Sequence, residues 1–387
     1  MKKGRLGFAA AALAIVMSVS GCGSGGASNG ASVQTTTAAP AVSADTSAPS
    51  VSADTAQAAS DATAGAPVTI GYMSWNGGAQ EKDEEAFFAQ YEKDHPNITI
   101  NAQYLQWADY YSKLNTLMAA GSCPDIYFTA ESQLIDYADK GMAIDLQPLF
   151  AADGINMTDY FAPGCYYQSS DGKIWSLSNG ISAIVMYYNK GLFSQMGITP
   201  PPLDATHPWT FDQYREAAKE LTTDANGKHP DDSGFDPNNI KTYGTIAPIG
   251  RNALIPLLYS NNATMLISSS GNPTGLGLDS PEAKTVLQAV ADQILVDHSA
   301  PTAAIAGSLP AANQMFKDNQ LGMQFDGAWM YANFQDNGVD VGVAPVPMFQ
   351  KPASVFWGSA YMLSSQSKNQ AIAFQVMKDF QIGRAHV

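Results

Sequence analysis

Two hydrophobic rhythms alternate along the chain. The run 68–75, VTIGYMSW, is rich in β-formers and ends in the turn Asn76-Gly77-Gly78. Over 80–94, Ala86, Phe87, Ala89 and Tyr91 recur among Glu and Lys, the pattern of an amphipathic helix, and His95-Pro96-Asn97 stops it. Ile98–Tyr104 alternates Ile98, Ile100, Ala102 and Tyr104, which predicts a second strand. A helix over 109–120 closed by Gly121, a short strand over 124–128 and a helix over 134–140 closed by Gly141 follow. Strand alternating with helix predicts an α/β domain with a parallel sheet covered on both faces.

The second half continues the theme. The run 181–189, ISAIVMYYN, is a strand with almost no charge. Thr210 with Gln213 has the spacing of a capping box and opens a helix through Leu221. Arg251–Ser260 and 280–295 read as helices, the second opened by Ser280 with Pro281 at its first position. The stretch 310–330, PAANQMFKDNQLGMQFDGAWM, predicts a helix over 311–319, then a strand on Leu321, Met323 and Phe325. Asp326-Gly327 is expected to turn and deliver Trp329 just past the strand. Val341 to Val346 is expected as a strand, 354–363 carries Trp357-Gly358, and 369–380 reads as a helix.

Three strand ends offer side chains to one edge: Trp75-Asn76, the loop Thr129-Ala130-Glu131-Ser132 expected after the third strand, and Trp329. In open α/β sheets ligands sit at the C-terminal ends of the strands. A lone Trp after a strand is more often core than site, and only the convergence of distant segments raises these above that reading.

The amino terminus is different. Lys2, Lys3 and Arg5 precede an apolar run that ends Val19-Ser20-Gly21-Cys22. This reads as a secretory signal over 1–22, too short for a stable span. Its end is similar to a bacterial lipobox, which implies lipidation at Cys22 as the mature amino terminus. Residues 23–66 contain no Lys, Arg, Glu or aromatic residue and repeat VSADT at Val42 and Val51. Such a segment buries too little to offset its ordering entropy and is expected as a polar tether. Its length points weakly to a Gram-positive wall, with a periplasmic setting as the alternative.

From residue 67 onward about 320 residues remain, enough for two lobes. The formal charge of −15 becomes −18 without the three basic residues of the signal. That disfavours nucleic acid and anionic lipid surfaces as partners. Cys123 and Cys165 could pair outside the cell, though nothing in their spacing requires it. The five histidines are scattered, none at metal spacing with another His or Cys. The acidic stretch 223–239 fails an EF-hand count, because His229 and Phe235 occupy the positions for Gly and Glu. A solvated loop without metal is expected there, and no cofactor motif stands in the chain.

With these pieces in order, the chain resembles the extracellular solute-binding proteins of the sugar type that serve ABC importers, the group typified by the maltose-binding protein. The matching segments are Trp75-Asn76, FAQYEKDHPNITI at 88–100, AAGSCPDIYF at 119–128 and MYYNKGLFSQMGI at 186–198. PWTFDQYREAAKEL at 208–221, MFKDNQLGMQFDGAW at 315–329 and VGVAPVPM at 341–348 complete the set. Each motif is soft alone, and their order over about 310 residues is specific. The resemblance implies a two-lobed periplasmic-binding-protein fold (type II) with hinge strands. The first lobe is expected over 67–186 and 358–387, the second over 187–357.

It also implies a sugar or oligosaccharide ligand, an ABC permease as partner, a monomer and no catalysis. Sugars stack on flat rings and bond through hydroxyls, so aromatic plates and planar polar groups are sought. Trp75, Trp329 and Trp357 are the candidate plates; Asn76, Glu131, Ser132 and Asp326 are the candidate polar groups, with Gly358 beside the ligand. Thr129 stands where the maltose binder has Trp, which argues against maltose itself. The alternatives are a lipid-anchored sensor, or a glycoside hydrolase using Glu131 and Asp326. The closing residues IGRAHV match no continuation expected from the resemblance and are read as adapter-derived, with further first-lobe sequence expected beyond them.

Overall fold

The computed structural model describes residues 65–159, 165–169, 171–269 and 272–383. The signal segment with Cys22, nearly all of the tether and residues 384–387 lie outside the described residues.

Strand and helix alternate as β1 (Val68–Ser74), α1 (Ala79–Asp94), β2 (Ile98–Tyr104), α2 (Trp107–Ala119), β3 (Ile126–Ala130) and α3 (Glu131–Asp139). Then come α4 (Gln147–Ala152), β4 (Tyr166–Gln168) and the 16-residue β5 (Ile174–Asn189). The chain continues through α5 (Lys190–Met196), α6 (Phe211–Leu221), β6 (Thr223–Asp224), β7 (Ile240–Thr245) and α7 (Arg251–Ser260). A hairpin of β8 (Leu266–Ser269) and β9 (Asn272–Leu276) precedes α8 (Pro281–Leu295), α9 (Ala303–Ala306) and α10 (Ala312–Lys317). Next are β10 (Leu321–Gly327), α11 (Met330–Asp336) and β11 (Val341–Ala344); β12 (Phe356–Leu363) and α12 (Gln370–Gly383) return to the first sheet.

That first sheet has the order β2-β1-β3-β12-β5. β1 is parallel to β2 and β3, and β12 is antiparallel to both its neighbours. In the second sheet β5 runs antiparallel to β10 and β11, and β10 parallel to β7. β5 therefore belongs to both. Through Ala183 it pairs with β12, and from Ile184 it pairs with β10. Just before the switch the β5–β12 register shifts and Gly180 takes φ 137°, a bulge with a backbone that side-chain-bearing residues rarely adopt.

Period-two alternation sorts each sheet into two cores. Ile70, Tyr72, Ile126, Phe128, Tyr361 and Leu363 bury on one face of the first sheet, with Met73, Tyr127, Ala360 and Met362 on the other. In the second sheet Ile184, Met186, Tyr188, Met323 and Phe325 oppose Tyr187 and Val341. Each cluster's buried residues come from one lobe only, so the lobes share strands but not a core. This is the two-lobed α/β fold with crossing strands.

Local chemistry explains the element ends. Thr210 Oγ1 accepts from Gln213 N at 3.2 Å and Gln213 Oε1 accepts from Thr210 N at 2.9 Å, a complete capping box. Ser280 caps α8 and Pro281 opens it. Two expectations need correction. Asp326-Gly327 is not a turn: both residues stay in β10, paired with Val185 and Ile184, because β5 extends far enough to carry the ladder. Thr129 to Ser132 is not a loop either, since β3 runs to Ala130 and α3 starts at Glu131. Cys123 and Cys165 are free thiols, packed against clusters on opposite faces of the first sheet. In the acidic stretch Asp224 is spoken for by the backbone: its carboxylate accepts from the N–H groups of Asn226, Lys228 and Asp236, which hold it below the usual carboxylate range.

A buried carboxylate ties the first lobe together behind the strand ends. Glu84 of α1 accepts from Tyr72 Oη at 2.8 Å, Tyr361 Oη at 2.8 Å and Asn76 Nδ2 at 2.5 Å. It joins α1, β1, β12 and the turn after β1. Burial, with Tyr361 and Glu84 adding to it, pushes the Tyr72 phenol well up and keeps it a neutral donor. Replacing Glu84→Ala leaves buried donors without their acceptor, and we expect a stability loss of about 3 kcal/mol in urea unfolding. A variant within about 0.5 kcal/mol of the parent would show that the network adds little.

Candidate functional site

The strand directions place the site. β1, β2 and β3 are parallel, so the segments after them, Trp75–Gly78, Leu105–Trp107 and Glu131, share one edge of the first sheet. β5 leaves that sheet at the same edge and enters the second sheet, where antiparallel β10 points its C-terminal end back toward the switch. Ala130 pairs with Ser359, itself opposite Gly180, while Gly327 lies opposite Ile184. Along β5 these positions are about 13 Å apart. The C-terminal edges of the two sheets thus face each other across the crossing strands. At another point of contact Asp336 Oδ2, at the end of α11, comes within 3.7 Å of where a Cβ on Gly78 would stand.

On the first-lobe side the residues form an aromatic wall. Trp75 is half-buried, with ring centroids 4.4 Å from Phe128, 5.0 Å from Tyr110 and 4.9 Å from Trp107. Trp107 stands nearly perpendicular to Trp75, at 87°, and to Tyr111, at 89°, and remains 56% exposed. Edge-to-face packing of this kind holds an indole rigid while leaving one face open. Tyr110 fixes the wall from behind, donating to Phe128 O at 2.5 Å and Met73 O at 3.1 Å, and Tyr111 Oη accepts from Ala130 N at 2.9 Å. Burial pushes the Tyr110 phenol well up.

Asn76 is buried, its amide committed to Glu84, so it supports the wall from below. Ser132 is exposed on the first turn of α3 and bonds Gln133. Glu131, the first residue of α3, holds Arg251 of the second lobe at 2.6 Å. The Arg251 guanidinium lies 4.2 Å from the centroid of Trp357, which pairs with Ser182 beside the switch and packs on the second-lobe core. Gly358 sits next to it, opposite Ile181.

Across the cleft, Trp329 precedes α11 and is 44% exposed. Its ring lies flat on the backbone of Gly327, where an added Cβ would come within 2.2 Å of the indole. Only glycine fits there. Tyr187 Oη donates to Gly327 O at 3.0 Å and fixes that carbonyl. Asp326 accepts from Gly327 N and from Gln324 Nε2, at 2.7 and 3.0 Å, while Gln324 Oε1 is buried without a hydrogen-bond partner. The structure therefore brings together Trp75 with Trp107, and Glu131 with Trp357 through Arg251. Asp326 and Trp329 belong to the facing edge.

Trp107, Tyr111, Arg251 and Gln324 were not among the candidates from sequence. The signal for Trp107 was present: it follows the second strand just as Trp75 follows the first. Arg251 had no signal, because its partners are 120 and 106 positions away.

The chain matches the family described as bacterial extracellular solute-binding protein over residues 74–378, and it belongs to that family. It is 24% identical over 267 residues to a maltotriose-binding protein of Pyrococcus abyssi, covering 69% of this chain and 51% of that one. It is 25% identical over 166 residues to an erythritol/L-threitol-binding protein of Mycolicibacterium smegmatis, covering 39% and 33%. The chain thus spans about half or less of the length of these relatives. Among solved structures it resembles an ABC substrate-binding protein of Listeria monocytogenes in complex with cycloalternan, with TM-score 0.68 and 25% identity, covering 81% of this chain and 74% of that one. The maltose/maltodextrin-binding domain of Bdellovibrio bacteriovorus bound to maltotriose, at TM-score 0.63 and 20% identity over 81% and 76%, shares the fold.

Burial pushes the Asp326 carboxyl above its ordinary 3.8, against the lowering effect of the Gly327 N–H and the Gln324 amide. A folded value above the unfolded one means that the native chain holds this proton more tightly. Its contribution to stability is complete below 3.8 and is lost as pH rises through the raised folded value. Asp326→Asn removes the titration. Urea unfolding of both proteins should show the stability of the variant, relative to the parent, rising with pH through that window and levelling above it. A difference that is flat across pH would contradict the burial argument.

Proposed function

We propose that this chain is the lipid-anchored, extracellular substrate-binding component of an ABC transporter. It captures a sugar or oligosaccharide by closure of its two lobes and passes it unchanged to the permease. The observation that carries this reading is the pair of half-exposed indoles, Trp107 and Trp329, each held rigid at the C-terminal edge of a different sheet. Flat apolar faces on both sides of a cleft, with amide and carboxylate groups beside them, suit a ligand with C–H faces and hydroxyl edges. Trp75 and Asn76 support the first plate, Asp326 and Gln324 lie on β10 shortly before the second, and Glu131, Ser132, Trp357 and Gly358 lie at the rim. The family and the carbohydrate ligands named for relatives support the same substrate class.

A ligand touching both lobes binds the closed form better and shifts the population toward it. The crossing strands at Ala183/Ile184 supply the hinge, and the permease reads the closed form. Cys22 carries the anchor on the outer face of the membrane, with the polar segment 23–66 as tether and the domain acting as a monomer. In this reading the first lobe takes residues 67–186 with 358–387, and the second takes 187–357.

Titration calorimetry on the protein against a panel of mono- and oligosaccharides should find one class that gives heat of binding, with no product after hours of incubation. Trp107→Ala and Trp329→Ala should each weaken that ligand by about tenfold, the loss of one stacked ring. Appearance of product would favour the hydrolase, and a panel without any binder would remove the carbohydrate reading.

A further inference from the structure

The pair Glu131–Arg251 differs from the other ion pairs described. Lys140–Asp136, Lys190–Asp340, Arg215–Asp297 and Lys378–Asp153 each stay within one lobe. Glu131–Arg251 joins α3 of the first lobe to α7 of the second, at 2.6 Å. Arg251 is also badly placed for its own helix. It is the first residue of α7, where the helix dipole disfavours a cation. Glu131 opens α3, where the dipole favours an anion. Helix stability therefore explains Glu131 but not Arg251, and what Arg251 gains comes from outside α7. Its guanidinium lies over Trp357, whose ring packs on the second-lobe core.

We infer that Arg251 is a positioning residue for lobe closure: Trp357 holds its guanidinium aimed across the cleft, and Glu131 receives it only when the lobes close. Trp357 lies at the pivot itself, paired with Ser182 beside Ala183/Ile184, so a rotation there displaces it little, and its ring packs on the second-lobe core that α7 belongs to. The contact between Arg251 and Trp357 therefore survives opening. Glu131 moves with the first lobe, so the ion pair does not. A contact present in one state alone biases the equilibrium by its own free energy. Because the ring already orders the guanidinium, little side-chain entropy opposes the pair, which places it toward the upper end for exposed pairs. The side chains are 45% and 37% exposed, so salt weakens the clasp. Glu131 is then a closure group, not a hydroxyl ligand.

The test uses no ligand, so its failure is distinct from failure of the carbohydrate reading. Dyes are placed by Asp94→Cys at the end of α1 and Lys284→Cys in α8, both exposed, with Cys22, Cys123 and Cys165 changed to serine. Single-molecule energy transfer then counts open and closed molecules. Glu131→Gln and Arg251→Gln should each lower the closed-to-open ratio by about threefold to fivefold, and the double variant by no more than either single. In the labelled parent the ratio should fall as salt rises from about 0.05 to 1 M, a reading that stands even if a clasp variant fails to fold. A ratio unmoved by salt, single variants that match the parent, or losses that multiply in the double variant would each overturn the proposal.

Discussion

One strand shared by two sheets governs this molecule. β5 pairs with β12 through Ala183 and with β10 from Ile184, so a single extended segment leaves one ladder and enters another without a turn. A strand can do this only at the edge from which it exits, and in a parallel sheet that is the C-terminal edge, where the loops carrying side chains for ligands also emerge. The same strand runs antiparallel to β10, which forces the C-terminal end of β10 back toward the switch. The facing of the two functional edges follows from strand direction alone. The separation of the cores follows too, since residues on either side of Ala183/Ile184 alternate into clusters of different lobes.

Two carboxylates near the site show how position decides what a charge does. Glu84 is fully buried, and neutral phenols and an amide satisfy it. Removing it from water is tolerable because three donors converge on it, and the result is a fixed frame beneath Trp75. Glu131 is only half-covered and has one cation as partner. Its bond is weaker, depends on salt and spans a gap that can open. The first carboxylate can specify a structure, whereas the second can only bias an equilibrium.

Much of this was legible in the sequence, for a definite reason. Period-two runs and capping signals are local, so Ile98–Tyr104, the Thr210/Gln213 box and Ser280-Pro281 could be read from neighbours in the chain. The order of motifs added the fold, because crossing strands and lobes are properties of the whole arrangement. The errors arose where tertiary pairing overrode a local signal. Asp326-Gly327 has turn chemistry, yet β5 extends the ladder across it, and the glycine is needed instead for the approach of the Trp329 ring. The contact of Arg251 with Glu131 and Trp357 left no trace in any window, since it exists only after both lobes are built.

The six tryptophans show what folding adds to composition. Trp175 donates its Nε1 to Ser169 Oγ at 3.0 Å and packs on the first-lobe core, while Trp209 packs on the second. Trp75 is half-buried among four aromatic rings and serves as a brace. Trp357 has a guanidinium over its ring, so one face is already occupied. Only Trp107 and Trp329 combine exposure with a rigid seat, one edge-on to Trp75 and the other flat on Gly327. A rigid exposed ring has little entropy left to lose on stacking, which is the condition for a flat ligand to gain from it. Identity alone would have given all six an equal claim; burial and ring geometry leave two.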